Sequence, residues 1–411
     1  MLARRAPTAL ASAIALAACI GSGCADELGG PLASFADVGS FDAADDATDA
    51  GAAVDAIDDA SEDAAADAAD AADATVDAGG LPPLDPALAE ALDARFIDAA
   101  ATVGAPGVTA TVRIGDTLWQ GADGVASTVT EAPIVPADRL RVGSVTKLFT
   151  AAVVLGLVDR GALELDAPVT AYVDGFDLDD AVTIRALLTH TSGVFNFTDD
   201  SAFLNLAAEA APPGFVIQWA MDHGPVHPAG QGYGYSNTGY YLLGLAIEAA
   251  SGQTFAEAVR AELLDPLGLA DTFVQPDESD AAFVDGHLVG TESTDAIHTS
   301  WAWAAGGMIS NGADLCVWAD ALFAGGVVPP ALYDAFIAPH VLPDGSTGRH
   351  GLGVRHTIRG GRPVVGHTGS TMGFRGELFY ALDTGTCVVV LTNDFFARPT
   401  DLAEALWSVL P

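Results

Sequence analysis

Basic residues are scarce in this 411-residue sequence, in which 16 Lys plus Arg stand against 55 Asp plus Glu for a formal net charge of −39. Because a chain this acidic is repelled by phosphate backbones, we expect no nucleic-acid partner. Cysteine is also scarce, with four residues, which excludes a small disulfide-dense scaffold. Half of the residues are apolar, which is enough for a large core or two lobes.

The N-terminal residues predict export. An Arg pair precedes an apolar stretch at residues 9–18, which is too short to span a bilayer as a mature helix. We predict a signal peptide over residues 1–18 and lipidation of Cys19, because Leu16-Ala17-Ala18-Cys19 resembles the bacterial lipoprotein processing site. An ordinary signal peptide cleaved after an Ala is the alternative. The mature protein is then expected in the cell envelope, periplasmic or at the cell surface, with the lipid as its membrane anchor.

Residues 19–80 are mostly Ala, Asp and Gly, and Lys and Arg are absent from this stretch. Like charges recur at helical spacings, and the few larger apolar residues cannot offset the entropy of an ordered chain. We predict a disordered tether here and a folded domain over residues 81–411. In that domain, export would permit a disulfide between Cys316 and Cys387, but we favour two separately buried thiols.

Hydrophobic periodicity places strands at both ends of the domain and helices between them. A helix is predicted from Pro86 to Ala101, and two strands fill Gly107 to Gly124. The pattern becomes helical after Pro136, and Leu148 to Asp159 is apolar enough to be buried on all sides.

The middle of the domain, from about 165 to 300, reads as helices and loops. Alternating segments follow Gly351, and a last helix is predicted from Thr400 to Leu410. The pattern predicts an α+β fold: one sheet built from both ends of the domain, with a helical insertion.

Ser144 and Lys147 form the first candidate motif. A separation of three residues on a helix places both side chains on one face, about 5–6 Å apart at their Cβ atoms. Burial lowers the pKa of a lysine, which frees its amine to activate a serine nucleophile. The pair is common by chance, but here a long apolar helix follows it at once.

Two further motifs carry candidate chemistry. Tyr235-Ser236-Asn237 ends a glycine-rich loop before an apolar helix, and a phenol beside a cationic lysine can be held as phenolate and accept a serine proton. Gly366-His367-Thr368-Gly369-Ser370 lies at the end of a strand, where glycines let a substrate backbone approach. The N–H groups of Ser144 and Ser370 are candidates for an oxyanion hole.

In their order and rough spacing, these motifs resemble those of the serine β-lactamase and penicillin-binding protein family. The likeness covers roughly residues 85–411 and is strongest to soluble, class-C-like D-alanyl-D-alanine carboxypeptidases, which share Arg-Val-Gly-Ser-Val-Thr-Lys and a His-Thr-Gly third motif. Further runs that look like those of the family are Ala105-Pro106-Gly107-Val108, Leu188-Thr189-His190-Thr191-Ser192-Gly193, Tyr235-Ser236-Asn237-Thr238-Gly239-Tyr240, Asp265-Pro266-Leu267-Gly268-Leu269 and Ala305-Gly306-Gly307-Met308-Ile309-Ser310. The resemblance implies a β-lactamase/transpeptidase-like fold, with an antiparallel sheet flanked by helices and a helical lobe.

The resemblance also implies roles for individual residues. Ser144 would be acylated, while Lys147 and Tyr235 shuttle its proton. The substrate-binding residues that it implies are Asn237, Trp301, Arg355, His367, Thr368, Gly369 and Ser370.

Two of these positions carry specific expectations. Arg355 matches a position that holds the terminal carboxylate of the substrate, although a solvated Arg on an edge strand is an equal alternative. Class C β-lactamases usually have Lys where this chain has His367, which favours a carboxypeptidase over a β-lactamase. If charged His367 binds that carboxylate, efficiency should fall as the pH rises past about 6.5.

The sequence therefore predicts a serine hydrolase that acts through an ester on Ser144, most simply on peptides that end in D-Ala. Peptidoglycan stem peptides and β-lactams are the candidate ligands, and neither a metal nor a cofactor is required. An esterase or β-lactamase on the same scaffold is one alternative, and a tethered sensor that is acylated once without turnover is another. His223 and His227 have a spacing seen in zinc sites, but Gly224-Pro225 breaks any helix between them, so metal binding is not expected.

Overall fold

The computed structural model describes residues 84–278 and 281–411. The predicted signal peptide at residues 1–18, the predicted lipidation residue Cys19 and the predicted tether up to residue 80 lie outside the described residues. Within the two described ranges, no helix combines the length and the apolar character needed to cross a membrane.

Helices occupy most of the middle of the described chain. The α-helices are Pro86–Ala100 (α1), Thr146–Asp159 (α2), Ile184–Leu188 (α3), Pro213–Met221 (α4), Asn237–Ser251 (α5), Phe255–Val259 (α6), Asp265–Leu267 (α7), Trp303–Gly306 (α8), Gly312–Phe323 (α9), Pro330–Ile337 (α10) and Pro399–Trp407 (α11). Shorter 3₁₀ or π turns are Gly143–Val145, Val169–Ala171, Phe197–Asp199, Ser201–Asn205, Arg260–Leu264 and Thr299–Trp301.

Strands cluster at the two ends of the domain. They are Gly107–Ile114 (β1), Thr117–Gly124 (β2), Leu140–Arg141 (β3), Phe273–Val274 (β4), His287–Leu288 (β5), Thr291–Glu292 (β6), Met308–Ser310 (β7), Arg355–Arg359 (β8), Arg362–Thr371 (β9), Phe374–Ala381 (β10) and Thr386–Thr392 (β11). The main antiparallel sheet has the order β2-β1-β11-β10-β9-β8, and Val108 of β1 pairs with Thr392 of β11. The prediction of one sheet built from both ends of the domain is confirmed.

Both faces of this sheet are covered, because successive side chains of a strand point in opposite directions. In β11, Val388 and Val390 pack in a cluster with residues of α1 and α11. The alternate residues, Val389 and Leu391, belong to the larger core that contains α2, α5 and α9. β11 is therefore buried on two sides, which explains its continuous apolar sequence.

Helix α2 passes through the centre of the molecule. Residues 146–155 are all buried, as the sequence predicts, and Phe149 stacks on Trp318 of α9 with ring centroids 4.1 Å apart. The helix starts at Thr146, so the helical pattern predicted after Pro136 is wrong for the intervening residues. There β3 pairs with β7 before the turn at Gly143–Val145, because a short segment of mixed polarity can form either structure until a partner strand is present.

Cys316 of α9 and Cys387 of β11 are buried free thiols, as favoured from the sequence. They are not separate, because their side chains are hydrogen-bond neighbours. Burial and this contact raise the pKa of the Cys387 thiol well above its ordinary value, which makes it a poor nucleophile.

Glycine allows strand β9 to run against the turn that contains Ser144. A Cβ atom on Gly369 would lie 2.0 Å from the carbonyl oxygen of Val142, and one on Gly143 would lie 2.6 Å from the nitrogen of Ser370. No side chain fits in either place. The close approach of the two backbones therefore depends on both glycines.

We expect Gly369→Ala to lower the free energy of unfolding by about 1–3 kcal/mol, because the added methyl group must push β9 away from Val142. Gly214→Ala in α4 is the matched control, since its Cβ would meet only ordinary contact with Phe176 at 3.8 Å. Urea denaturation of both variants measures the difference. Equal free energies of unfolding for the two variants would show that β9 can shift away from Val142 without loss of stability.

Candidate active site

Ser144 lies in the turn Gly143–Val145, directly before α2, and is only 5% exposed. Lys147, in the first turn of α2, is fully buried, and its Nζ donates to Ser144 Oγ at 2.8 Å. Gly143 has a φ of +52°, a left-handed conformation that glycine adopts without strain. The structure brings together the predicted nucleophile and base, on a turn that requires glycine.

Two further acceptors surround Lys147. Its Nζ donates to Asn237 Oδ1 and to the carbonyl oxygen of Ala305, both at 2.7 Å. A lysine ammonium has three N–H donors, and with Ser144 each of them has an acceptor. The charge of a buried amine is therefore balanced by hydrogen bonds, and one of these bonds leads to the nucleophile.

Tyr235 approaches Ser144 from the segment that leads into α5. It comes just before α5, which Ser236 caps by accepting a hydrogen bond from the N–H of Gly239 at 3.1 Å. Its Oη donates to Ser144 Oγ at 3.0 Å, and its ring lies 4.9 Å from Lys147 Nζ. The phenol and the amine thus contact the same hydroxyl, and either is placed to exchange its proton.

Asn237 connects the lysine to the wall of the site. Besides accepting from Lys147, its amide Nδ2 donates to Thr198 Oγ1 at 3.2 Å, and its backbone N–H donates to Asn196 Oδ1 at 3.0 Å. Asn237 therefore holds the lysine in place while its own amide is fixed by Thr198. Its side chain also lines the pocket, within reach of a substrate amide.

The third motif occupies β9 beside the nucleophile. Thr368 Oγ1 accepts a hydrogen bond from Arg355 Nη1 at 2.9 Å. Ser370 lines the pocket, and its buried Oγ has no hydrogen-bond partner within the part of the chain that the structure describes. Arg355, Thr368 and Ser370 thus place a guanidinium and two hydroxyls along one strand edge.

Arg355 is on the edge strand β8, but it is only 9% exposed. The alternative of a solvated arginine is therefore wrong. The side chain is buried because it turns inward to Thr368 across the β8–β9 pair, in which Arg355 is opposite Gly366. Alternation along the strand decides this direction, and a sequence cannot show which face is inward at the edge of a sheet.

His367 corrects a second expectation. It is 1% exposed, its Nδ1 donates to the carbonyl oxygen of Thr368 at 2.5 Å, and burial together with the charge of Lys147 lowers its pKa to about 3. The imidazole is neutral at physiological pH, so the prediction that charged His367 binds a carboxylate near pH 6.5 is wrong. Desolvation next to a lysine outweighs any benefit from a second positive charge.

A pocket opens in front of Ser144. Its apolar walls come from Phe203, Ile297, Trp301 and Met372. The structure places Trp301 in this wall, where its Nε1 donates to the carbonyl oxygen of Glu209 at 2.8 Å. The indole is thereby held in position with its polar atom already satisfied.

Several contributors to the site were not predicted from the sequence. The carbonyl of Ala305 has no side-chain signal, and Thr198 acts only through its contact with Asn237. His190 accepts a hydrogen bond from the N–H of Ser236 at 3.2 Å, and its ring stacks on that of Tyr235 with 4.2 Å between the ring centroids. Its Nε2 has no partner in the described residues, so it is only half satisfied.

His350 was also missed. Its Nδ1 shares a hydrogen bond of 2.9 Å with the phenol of Tyr233, and its ring centroid is 5.3 Å from that of His367. Burial lowers the pKa of both His190 and His350 well below the ordinary value. The aromatic surroundings of Tyr235 therefore stay neutral.

Metal-ligating side chains do not cluster in the described ranges 84–278 and 281–411, where no group of three or more His, Cys, Asp or Glu is placed to hold an ion. His223 pairs with Asp200 at 3.2 Å, and His227 Nδ1 donates to the carbonyl oxygen of Pro228 at 3.0 Å. These two histidines therefore make separate contacts.

A serine in contact with a buried lysine and a tyrosine, at the start of a helix beside an antiparallel sheet, is the arrangement that nucleophilic acyl transfer requires. A model of the Beta-lactamase family matches residues 92–410. The chain belongs to this family of serine hydrolases.

Two curated proteins show which members of the family the chain resembles. Penicillin-binding protein 4 of Amycolatopsis lactamdurans is 35% identical over 191 residues, 42% of this chain and 46% of that protein. A D-aminopeptidase of Gluconobacter oxydans is 25% identical over 332 residues, 79% of this chain and 61% of that protein. The matched segments thus span from about half to about three fifths of the length of these curated relatives.

A solved structure of a D-stereospecific amidohydrolase from Streptomyces sp. aligns with 80% of this chain and 100% of its own, with a TM-score of 0.67 and 29% identity. Both the resemblance to the β-lactamase and penicillin-binding protein family and the predicted β-lactamase/transpeptidase-like fold are confirmed.

We expect Tyr235→Phe to slow acylation of Ser144 at least about 100-fold, because the variant lacks the oxygen that takes part in proton transfer. The burst of nitrophenol released from p-nitrophenyl acetate measures acylation directly. Tyr233→Phe is the matched control, since its phenol contacts His350 instead of the serine. Similar bursts from both variants would remove Tyr235 from the mechanism.

Stability should fall with acid below about pH 6.5. The unfolded chain takes up protons at His190, His350 and His367 there, whereas burial lowers the pKa of each in the folded protein, so the folded state binds fewer protons. In His367→Asn the slope of the unfolding free energy against pH should decrease between pH 6 and 4 by about 1.4 kcal/mol per unit, which is one proton. Urea denaturation at several pH values gives that slope, and an unchanged slope would show that His367 is protonated in the folded state.

Proposed function

We propose that this protein is a D-alanyl-D-alanine carboxypeptidase-like serine hydrolase that cleaves peptides ending in D-Ala. The observation that carries the proposal is the placement of Ser144 Oγ between Lys147 Nζ at 2.8 Å and Tyr235 Oη at 3.0 Å. Its relatives support D-stereospecific chemistry, since they include a penicillin-binding protein, a D-aminopeptidase and a D-stereospecific amidohydrolase.

The reaction proceeds in two acyl transfers. Ser144 Oγ attacks the carbonyl carbon of the scissile amide. The oxygen of Tyr235, as the phenolate that the Lys147 ammonium stabilises, takes the serine proton and delivers it to the nitrogen of the leaving amine. The C–N bond breaks, leaving an ester on Ser144 and a free amino acid. Water then attacks the ester, the serine oxygen takes back a proton, and the acid product leaves.

When Ser144 attacks, negative charge develops on the carbonyl oxygen of the substrate. Hydrogen-bond donors are needed to stabilise that charge. The backbone N–H groups of Ser144 and Ser370 are our candidates for this oxyanion hole, because β9 runs directly along the Ser144 turn. Gly369 and Gly143 permit that approach.

Recognition of the leaving residue is assigned to Arg355, Thr368 and Ser370. A planar guanidinium with neighbouring hydroxyls suits a terminal carboxylate. Arg355 is held in place by its hydrogen bond to Thr368, and Ser370 Oγ has no partner within the described part of the chain. His367 stays neutral and holds the backbone of β9 through its hydrogen bond to the carbonyl oxygen of Thr368.

The predicted N-terminal signal supports export and a place in the cell envelope, with Cys19 as the lipid anchor. Peptidoglycan stem peptides are the substrates that such a location would offer. β-Lactams, which resemble those peptides, are then expected to acylate Ser144.

Arg355→Ala should reduce kcat/KM for a D-Ala-D-Ala peptide by about 10- to 100-fold while sparing a neutral acetyl ester, because only the peptide has the carboxylate that the guanidinium binds. Arg349→Ala removes an equal charge from a neighbouring exposed position and is the matched control. Steady-state kinetics on both substrates measures the effect. Equal loss on peptide and ester would contradict the Arg355 assignment.

A panel of substrates distinguishes the proposed carboxypeptidase from the esterase, the β-lactamase and the sensor. An esterase would hydrolyse the ester but not the peptide, and a β-lactamase would turn over a chromogenic cephalosporin. A sensor would give a stable penicillin adduct by mass spectrometry, without turnover of any substrate.

A further inference from the structure

Helix α9 lies close to the main sheet at the point where the helix begins. A Cβ atom on Gly312 would lie 2.1 Å from Thr111 Oγ1 and 2.8 Å from Thr111 Cβ, so no side chain fits between the first turn of α9 and β1. Glycine permits this approach because it has no side chain to hold the two backbones apart. The start of α9 is therefore nearer to the sheet than a larger residue would allow.

A stripe of residues along α9 faces the sheet. Residues four apart share one face of a helix, so Gly312, Cys316 and Asp320 follow one another on that face. The far end of the stripe also contacts the sheet, because Asp320 Oδ2 lies 3.3 Å from Arg113 Nη2 of β1 and Asp320 Oδ1 accepts from Tyr380 Oη of β10 at 3.1 Å. Cys316, midway along the stripe, is held against the strands between these contacts.

The strand register places Cys387 opposite Cys316. The two residues that contact Asp320 are the cross-strand partners of Cys387, namely Arg113 on β1 and Tyr380 on β10. Both cysteines belong to the same buried cluster, and the Cys316 side chain is a hydrogen-bond neighbour of the Cys387 thiol. The two sulfurs therefore meet between α9 and β11.

We propose that Cys316 and Cys387 form a disulfide bond in the exported protein, which fastens α9 to the middle of the main sheet. A disulfide needs two sulfurs in contact and two backbones that come close together. The contact of the thiols meets the first requirement, and the close approach of α9 at Gly312 favours the second. The export that the N-terminal residues predict supplies the oxidising compartment in which such bonds persist.

Formation of the bond requires a disulfide as the oxidant. The thiolate of one cysteine attacks this oxidant, which forms a mixed disulfide and releases one thiol. The thiolate of the other cysteine then attacks the protein sulfur of the mixed disulfide and expels the second thiol, so two electrons and two protons pass to the oxidant. Because Cys316 and Cys387 are fully buried in the folded domain, we expect the exchange to take place during folding, before α9 closes over β11.

Peptide mapping tests the pairing. The full chain is made by cell-free translation in two mixtures that differ only in redox buffer, dithiothreitol or reduced with oxidised glutathione, and free thiols are alkylated before the soluble protein is digested. With glutathione we expect a peptide pair joined through Cys316 and Cys387, which separates on reduction. Alkylated or glutathione-bound sulfurs at both positions, or bonds to Cys19 or Cys24 instead, would overturn the proposal.

Thermal unfolding tests whether the fold accepts the bond without strain. Cys316 and Cys387 are about 70 positions apart, so a bond between them removes much conformational freedom from the unfolded chain. We expect the unfolding midpoint of the oxidised wild type to exceed that of the reduced wild type by about 5–10 °C. An equal or lower midpoint for the oxidised wild type would overturn the proposal, because the bond would then strain the fold.

Cys316→Ala is the matched control for this measurement, since it retains Cys387 but cannot form the bond. Its midpoint should be the same in both redox buffers, and a shift as large as that of the wild type would assign the effect to another cause. The comparison of oxidised with reduced wild type needs no variant to fold. Neither readout uses hydrolysis, so failure of the proposed function would leave both results unchanged.

Discussion

The buried ammonium of Lys147 is the constraint on which the site depends. A charge placed in the core is costly unless hydrogen bonds replace its lost water, and here three acceptors do so: Ser144 Oγ, Asn237 Oδ1 and the carbonyl oxygen of Ala305. These groups are on three distant segments of the chain. Satisfying one lysine therefore fixes the positions of the nucleophile turn, the start of α5 and α8 relative to one another.

The same charge explains the neutral surroundings. His190, His350 and His367 are within its field, and burial together with Lys147 lowers the pKa of all three. A second cation at any of these positions would oppose the first. The imidazoles act instead as polar rings that pack around Tyr235, as in the 4.2 Å stack with His190. Steric and electrostatic requirements at the catalytic tyrosine are thus met by the same residues.

The sheet supplies the other half of the site through close backbone contact. Strand β9 lies against the Ser144 turn because Gly369 and Gly143 have no side chains there. Arg355 then reaches Thr368 from the neighbouring strand. One lobe thus provides the lysine and tyrosine, and the sheet provides Arg355, Thr368 and Ser370, so the candidate site lies where the two lobes meet.

The sequence by itself determined the elements and the reactive groups. Apolar periodicity was sufficient for the buried helix after Lys147 and for β11, since both patterns follow directly from burial on several sides. The motifs around Ser144, Tyr235 and His367 were recognisable because their spacing is local. Only the tertiary structure decided how these groups behave.

The protonation state of a side chain, the direction in which it points and its hydrogen-bond partner all depend on neighbours from other segments of the chain. The neutral state of His367 follows from desolvation beside Lys147, and the inward direction of Arg355 from its place opposite Gly366. The carbonyl of Ala305 became a ligand of Lys147 only through folding. A sequence carries no distances between such segments, and electrostatic free energies depend on those distances and on burial.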